Sequence, residues 1–276
     1  MIAQVISDKA GIPVEKVEVV LGSSSLPPGP TSGGSTATST FLPAIIDAVN
    51  AAVKIVLTVA SNTKGSPFQG KDADSLALTA GQVHAKDQPA TSGAPYGQIL
   101  HMANLASANG AGKSGGLGAD PKARDYSTHS FGAQFVEVEW DPGIARLRVS
   151  RVVSVVDGGR IINKRTATNQ MAGAIVMGVG MGLFEETIYD PRNGHAINDN
   201  FADYIVPTIA DMPQIDVHFL DIPDLIMNEY GARGIGEIGL AGVAPAITAA
   251  VYHATGVRVR QVPVRIEDLL QARMTV

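Results

Sequence analysis

Three short segments concentrate the groups able to do chemistry in this 276-residue chain. The first is Gly231-Ala232-Arg233-Gly234-Ile235-Gly236-Glu237, three glycines around one carboxylate, directly before an Ala-rich run. Glycine at that density lets backbone lie close to something large. A carboxylate held in such a turn can be desolvated, with its pKa raised, and accept a proton. The competing reading is a Glu at a helix start, favoured by the helix dipole. The second segment is Gly33-Gly34-Ser35-Thr36-Ala37-Thr38-Ser39. Its N–H groups and hydroxyls, ahead of a long apolar run, suit an anionic or acceptor-rich ligand; by composition alone a flexible loop with a Ser/Thr helix cap is the favoured reading. The third is Asp157-Gly158-Gly159-Arg160-Ile161-Ile162-Asn163-Lys164-Arg165-Thr166. Its basic and amide groups lie between a strand and a helix, where they can hold a phosphate or a base, or simply cap a solvated helix. Gln170, one turn further on, would extend such a site.

Other constellations exclude more than they suggest. Gly178-Val179-Gly180-Met181-Gly182 looks superficially like a dinucleotide fingerprint and would support an NAD-dependent dehydrogenase, but it sits inside a helical pattern rather than at a strand-to-helix turn, so close helix packing is the better reading. The Gly33–Ser39 loop lacks the Gly-Lys-Ser/Thr ending of a phosphate loop. The six histidines are scattered and none forms a metal-binding pair, so no protein-ligated metal is expected. With no cysteine, a thiolate zinc site, a protein-ligated iron–sulfur cluster and a Cys nucleophile are excluded for these residues. Ser23–Ser25 lack the context of a nucleophile elbow.

The elements that must position these groups follow from periodicity. Residues 1–11 read as a helix with an Ile2/Val5/Ile6 face stopped by Gly11. A helix beginning at residue 1 without a preceding cap suggests a chain cut from something longer. Val17–Leu21 reads as a strand, Gly22–Ser35 as loop, and Phe41–Ala60 as a long helix buried on most sides. Ala77–Ala85 reads as a hairpin, Tyr96–Leu105 as a helix, and Ser107–Asp120 as a mobile linker. Phe131–Val156 reads as a hairpin turning at Asp141-Pro142-Gly143, Asn163–Phe184 as a helix with a small-residue stripe, and Ile215–Phe219 as a strand. Leu240–Thr255 reads as an Ala-rich helix ended by Gly256, and Val257–Leu270 as strand, proline break and short helix. The expected class is α+β, in two α+β subdomains: 1–125, with the Gly-Gly-Ser loop and a linker, and 126–276, with the Arg160–Thr166 segment and Glu237. Hydrophobic residues at 45% and charged residues at 17% fit a packed core. The net charge of −5 gives no footprint for nucleic acid. No uninterrupted apolar run reaches the ~18 residues of a span, so no membrane is expected. Residues 1–20 lack a secretory signal pattern, which leaves either a cytoplasmic chain or a native N-terminus upstream.

Three blocks carry a resemblance. LGSSSLPPGPTSGGSTATS, SFGAQFVEVEWDPGIARLRVSRVVSVVDGGRIINKRTATNQMAGAIVMGVGMGLFEE and GARGIGEIGLAGVAPAITAAVYHATGVRVRQVPVRIEDLL resemble the molybdenum-cofactor-binding subunits of the xanthine dehydrogenase/aldehyde oxidase family. The wording is closest to periplasmic-type aldehyde oxidoreductase molybdenum subunits, in their C-terminal half, and residues 61–130 match poorly. The resemblance implies the second molybdopterin-binding domain of a molybdenum hydroxylase, with Glu237 as general base toward a molybdenum-bound hydroxyl during oxidative hydroxylation of an aldehyde or N-heteroaromatic substrate, water being the oxygen source. It implies molybdopterin cytosine dinucleotide as cofactor, with the pterin against Gly33, Gly34, Ser35, Thr36, Ala37, Thr38 and Gln170. The dinucleotide end would lie along Arg160, Ile161, Ile162, Asn163, Lys164, Arg165 and Thr166, with Arg233, Gly234, Ile235 and Gly236 against the cofactor. The metal is held by the pterin, so no protein metal ligand is implied. The implied partners are the N-terminal half of the molybdenum subunit, an iron–sulfur subunit and a FAD subunit. The family's first molybdenum domain has no counterpart here. That leaves a rival reading, a non-catalytic apo fragment serving as a structural or interaction module, and an isolated chain expected to be inactive.

Overall fold

The computed structural model describes residues 1–31, 33–114 and 125–271. The chain forms two compact units, Met1–Thr128 with Asp224–Ala232, and His129–Pro223 with Arg233–Val276. Each combines helices with a three-stranded sheet.

In the first unit α1 (Ile2–Ala10) ends at Gly11, which adopts the left-handed conformation at φ 60°. A β-carbon there would lie 2.5 Å from the Leu78 carbonyl oxygen, so both φ and space require glycine. Helix α2 (Ala37–Asn62) begins four residues before the expected Phe41 and buries a stripe of Ser39, Leu42, Ile46, Val49, Val56 and Ala60. Only 17% of its most apolar window is buried, so the expectation of burial on most sides fails; the described residues supply packing for one face. Strands β1 (Leu76–Thr79), β2 (Gln82–Ala85) and β3 (Ala94–Pro95) pair antiparallel, the first two as the expected hairpin, followed by α3 (Tyr96–Met102). Val56, Ala60, Phe68, Leu76, Val83, Ile99 and Leu100 form the core.

Two further expectations fail in this unit. Val17–Leu21 is not a strand: no described strand pairs with it, and Val20 and Leu21 are exposed. Strand propensity without a ladder partner does not make a strand. The supposed linker is not free over 107–114. A β-carbon on Gly110 or Gly112 would overlap the Ala48 or Ala44 carbonyl oxygen of α2, so backbone crosses backbone where Ala44, Ala48 and Ala52 keep the helix surface low. Residues 115–120 of that expected linker lie outside the described residues.

In the second unit β4 (Phe131–Asp141) and β5 (Arg146–Asp157) form the expected hairpin, in register from Asp141↔Arg146 to Phe131↔Asp157 with one irregularity at Glu137/Val138. Strand β6 (Gln214–Phe219) adds parallel to β5. Helix α4 (Lys164–Leu183) and the pair α5 (Ile238–Ala241) and α6 (Val243–Thr255) pack with this sheet around Val149, Val152, Ile175, Val179, Val243, Ile247 and Val251. The expected single helix over 240–255 is thus two, joined at Gly242, whose β-carbon would lie 2.7 Å from Gln134 Cγ. Gly256 closes α6 at φ 76°. Val257–Arg260 is not a strand, again for want of a partner among the described residues, and α7 (Ile266–Gln271) follows. Gly178 faces Val243 and Gly182 faces Ile247, so the Gly178–Gly182 stripe serves helix packing and no nucleotide turn.

By length and composition, Ala37–Asn62 and Ile238–Thr255 are long and apolar enough to cross a bilayer, at mean hydropathies of 1.8 and 1.3. The lack of an uninterrupted apolar run is therefore not in itself an argument about membranes. Buried core helices share this profile, and both runs bury residues in their own units.

Candidate cofactor site

The second unit builds its site on the open end of the β4–β5 hairpin. Asp157, the last residue of β5, is 7% exposed. Its carboxylate accepts the Gly159 N–H at 3.0 Å and pairs with the Arg233 guanidinium at 2.6 Å. The Arg233 N–H donates to the Gly158 carbonyl at 2.9 Å, and its guanidinium stands 6.0 Å from the Phe131 ring centroid. A β-carbon on Gly158 would overlap Ile235 Cγ2, so this glycine admits the Arg233–Gly236 turn. Ser130 Oγ donates to the Gly234 carbonyl at 2.6 Å, and Gln170 Nε2 to the Gly236 carbonyl at 2.7 Å.

Glu237 then stands as the residue before α5. It is exposed, so the described residues do not provide the desolvation expected of it. Behind it Gly239 packs against Met171 and Ala174 of α4. One N–H of the exposed Gln170 amide is committed to Gly236, which leaves its carbonyl oxygen as an acceptor for a ligand.

Arg160–Thr166 leads into α4. The Ile161 N–H donates to the Asp221 carboxylate at 2.7 Å, and Lys164 Nζ lies 3.5 Å from the other Asp221 oxygen. Asn163 caps the helix by accepting the Thr166 N–H at 3.1 Å. Arg160, Lys164, Arg165 and Thr166 are exposed, while Ile161, Ile162 and Asn163 are half-buried. Three cations at the N-terminus of a 20-residue helix favour an anion such as a pyrophosphate.

The Gly33–Thr38 turn belongs to the first unit. Gly34 and Ser35 are consecutive left-handed residues, at φ 59° and 60°. The Thr36 N–H and Oγ1 both turn back to the Gly33 carbonyl, at 3.3 and 3.0 Å, so the hydroxyl does not cap α2, which Ala37 opens; Thr38 is half-buried in the first turn. A β-carbon on Gly33 would meet nothing within 4 Å, so the chain's own packing does not demand a glycine there, and the space suits an approaching ligand.

Arg160–Thr166, Gln170 and Arg233–Glu237 therefore come together within one unit, and Gly33–Thr38 lies in the other. Ser130, Asp157 and Asp221 hold the site, but sequence reasoning gave none of them a role. For Asp157 and Asp221 the available signal was a carboxylate at or just beyond a strand end, ahead of a Gly-Gly or Ile-Pro break. Ser130 offered no such signal. Among the described residues no cluster of three or more His, Cys, Asp or Glu side chains could hold a metal ion. The donor set of glycine backbone, one amide and helix-end cations instead matches a large phosphorylated organic ligand.

Solved structures define the class of the fold. The crystal structure of quinoline 2-oxidoreductase from Pseudomonas putida 86 superposes with a TM-score of 0.82 at 22% identity, over 99% of this chain and 34% of that one. The aldehyde oxidoreductase from Desulfovibrio desulfuricans ATCC 27774 gives 0.69 at 20% identity, over 98% and 27%. The fold is the α+β molybdopterin-binding fold of the molybdenum hydroxylases. The molybdopterin cofactor-binding domain family matches residues 1–213, and the chain belongs to it. The aldehyde oxidoreductase molybdenum-binding subunit PaoC of Escherichia coli O157:H7 is 37% identical over 270 residues, 98% of this chain and 34% of that protein. The 6-hydroxypseudooxynicotine dehydrogenase complex subunit gamma of Paenarthrobacter nicotinovorans is 30% identical over 98% of this chain and 33% of that protein. The chain thus spans about a third of the length of these relatives.

Proposed function

We propose that the chain is the C-terminal part of a molybdenum-hydroxylase subunit that oxidatively hydroxylates a small aldehyde or N-heteroaromatic compound with oxygen from water, with Glu237 as general base. One arrangement carries the reading: the glycine turn bearing Glu237 is tied to Gln170 on one side and, through Arg233 and Gly158, to the segment leading into α4 on the other. Residues 1–125 supply the pterin-facing turn Gly33–Thr38, and residues 126–276 supply Gln170, the base and the cradle of the dinucleotide end. Arg160, Lys164 and Arg165 neutralise a pyrophosphate at the α4 N-terminus, and the Asn163 and Thr166 groups beside them suit the cytosine dinucleotide form of the cofactor. When bound, the cofactor supplies molybdenum and the two-electron redox chemistry.

The residues of this chain position and move a proton. The Arg233–Gly236 backbone sets Glu237 against the reacting centre, and the Glu237 carboxylate accepts the proton released as oxygen passes to the substrate carbon. The missing desolvation of Glu237 comes from the cofactor and from the N-terminal half of the subunit. Electrons leave through iron–sulfur centres and FAD on partner chains, in keeping with relatives named as a molybdenum-binding subunit and as one subunit of a dehydrogenase complex. An aldehyde substrate is favoured by the 37% identity to an aldehyde oxidoreductase subunit.

The test is Glu237→Gln in the complete enzyme. Turnover should fall by about 100- to 10,000-fold, the range of general-base catalysis, with molybdenum and cytidine nucleotide content unchanged. Normal turnover would refute the assignment. The exposure of Glu237 within this chain supports one rival, a non-catalytic structural module. That rival predicts no oxidation of any aldehyde by the assembled complex, with or without the substitution.

A further inference from the structure

A turn with glycine at three of seven positions has little stiffness of its own, since glycine leaves the backbone more freedom than any other residue. A general base must nevertheless be held within a fraction of an ångström of its target. Something outside the turn has to hold it. Gln170 touches it from the exposed side, where ligand is expected. Asn228 holds Ala232 at the start of the turn, and the side-chain anchors on the next two residues, Arg233 and Gly234, come from one place. Phe131 and Asp157 are partners on the last rung of the β4–β5 ladder, and Ser130 immediately precedes Phe131.

Ser130 Oγ donates to the Gly234 carbonyl at 2.6 Å. Asp157 takes the Arg233 guanidinium at 2.6 Å, with both side chains nearly buried at 10% and 13% exposed. The same carboxylate is itself fixed by the Gly159 N–H at 3.0 Å. These two contacts grip adjacent residues of the turn from the end of an eleven-rung hairpin.

We infer that Ser130 and Asp157 are positioning residues for Glu237. They clamp Gly234 and Arg233 to the hairpin end and so fix the direction in which the carboxylate at 237 leaves the turn. Neither is placed to touch the reacting atoms; both act through the backbone of residues 233–236. The inference rests on the reading of Glu237 as base, and the experiment keeps the two apart.

In the complete enzyme, Ser130→Ala should lower kcat by about 10- to 100-fold, the cost of a small misplacement of a catalytic group, with KM and the molybdenum and cytidine contents held within about twofold. Ser130→Thr, which keeps the hydroxyl, should restore kcat. Asp157→Asn should lower kcat in the same way, and the Ser130 pair carries the test if that variant does not fold. Wild-type kcat in Ser130→Ala and Asp157→Asn, alongside an inactive Glu237→Gln, would overturn the inference and spare the base. Loss of molybdenum in parallel with activity in Ser130→Ala, or no rescue by Ser130→Thr, would also overturn it. Normal turnover in Glu237→Gln would instead remove the reading underneath.

Discussion

At the scale of single residues, this chain uses its carboxylates in three ways. Glu237 is exposed at the start of α5. Asp157 and Asp221 are turned inward onto backbone N–H groups and cations, Gly159 and Arg233 for one, Ile161 and Lys164 for the other. Asp216 is held on the surface of β6 by Arg151, whose Nε lies 2.8 Å from it. The hydrogen bond from Arg151 keeps the Asp216 carboxyl below the usual carboxylate range; desolvation opposes it as the next-largest effect, and the Arg151 charge, the Gln214 hydrogen bond and the His218 charge add smaller lowering contributions. A depressed folded pKa means the pair contributes stability above the ordinary carboxylate pKa, and that contribution is lost as pH falls through the depressed value. Arg151→Ala should therefore move the Asp216 titration upward, toward the ordinary range, in a carboxyl-resolved NMR titration. An unchanged midpoint would show that the guanidinium does not hold it.

At the scale of elements, glycines and caps decide where helices can go. Gly178 lies where α4 meets α6, and a β-carbon there would overlap Val243 Cβ. Gly178→Ala should destabilise the second unit by about 1–3 kcal/mol through overpacking, read as a lower midpoint in chemical denaturation. Asn163 caps α4 through Thr166 and also sits among the groups assigned to the dinucleotide. Asn163→Ala should cost about 1 kcal/mol of stability and lower cytidine retention in the complete enzyme, whereas Asn163→Asp should keep the stability but, by adding negative charge, still weaken retention. The two strands that sequence patterning expected and the structure lacks, Val17–Leu21 and Val257–Arg260, belong to this scale as well. Helices close their hydrogen bonds locally, so their periodicity is legible in one stretch of sequence. A strand exists only if another segment arrives beside it.

At the scale of the whole molecule, the groups assigned to the cofactor are divided between two units, and the chain is a third as long as its relatives. The first unit carries Gly33–Thr38; the second carries Arg160–Thr166, Gln170 and Arg233–Glu237. Under the proposed function the chain carries only part of the groups that bind the cofactor, so these residues alone should not retain it. The purified 276-residue chain is expected to carry no molybdenum and no cytidine nucleotide by metal and nucleotide analysis. Stoichiometric molybdenum in the isolated chain would show that this third is a sufficient binding unit.

The amino-acid sequence alone determined the α+β class, the long helices, the β4–β5 hairpin and its turn, the left-handed glycines at helix ends and the family, because each is written in local spacing or in contiguous motifs. It also marked Glu237 and the glycines around it as chemically unusual. Only the tertiary structure decided what holds that carboxylate. Ser130 meets Gly234 across 104 residues, Asp157 meets Arg233 across 76, and Asp221 meets Ile161 across 60. Contacts at such separations leave no periodic trace, since they arise from the approach of the distant 233–236 turn to the hairpin end and of Asp221 to Ile161, which no single segment encodes.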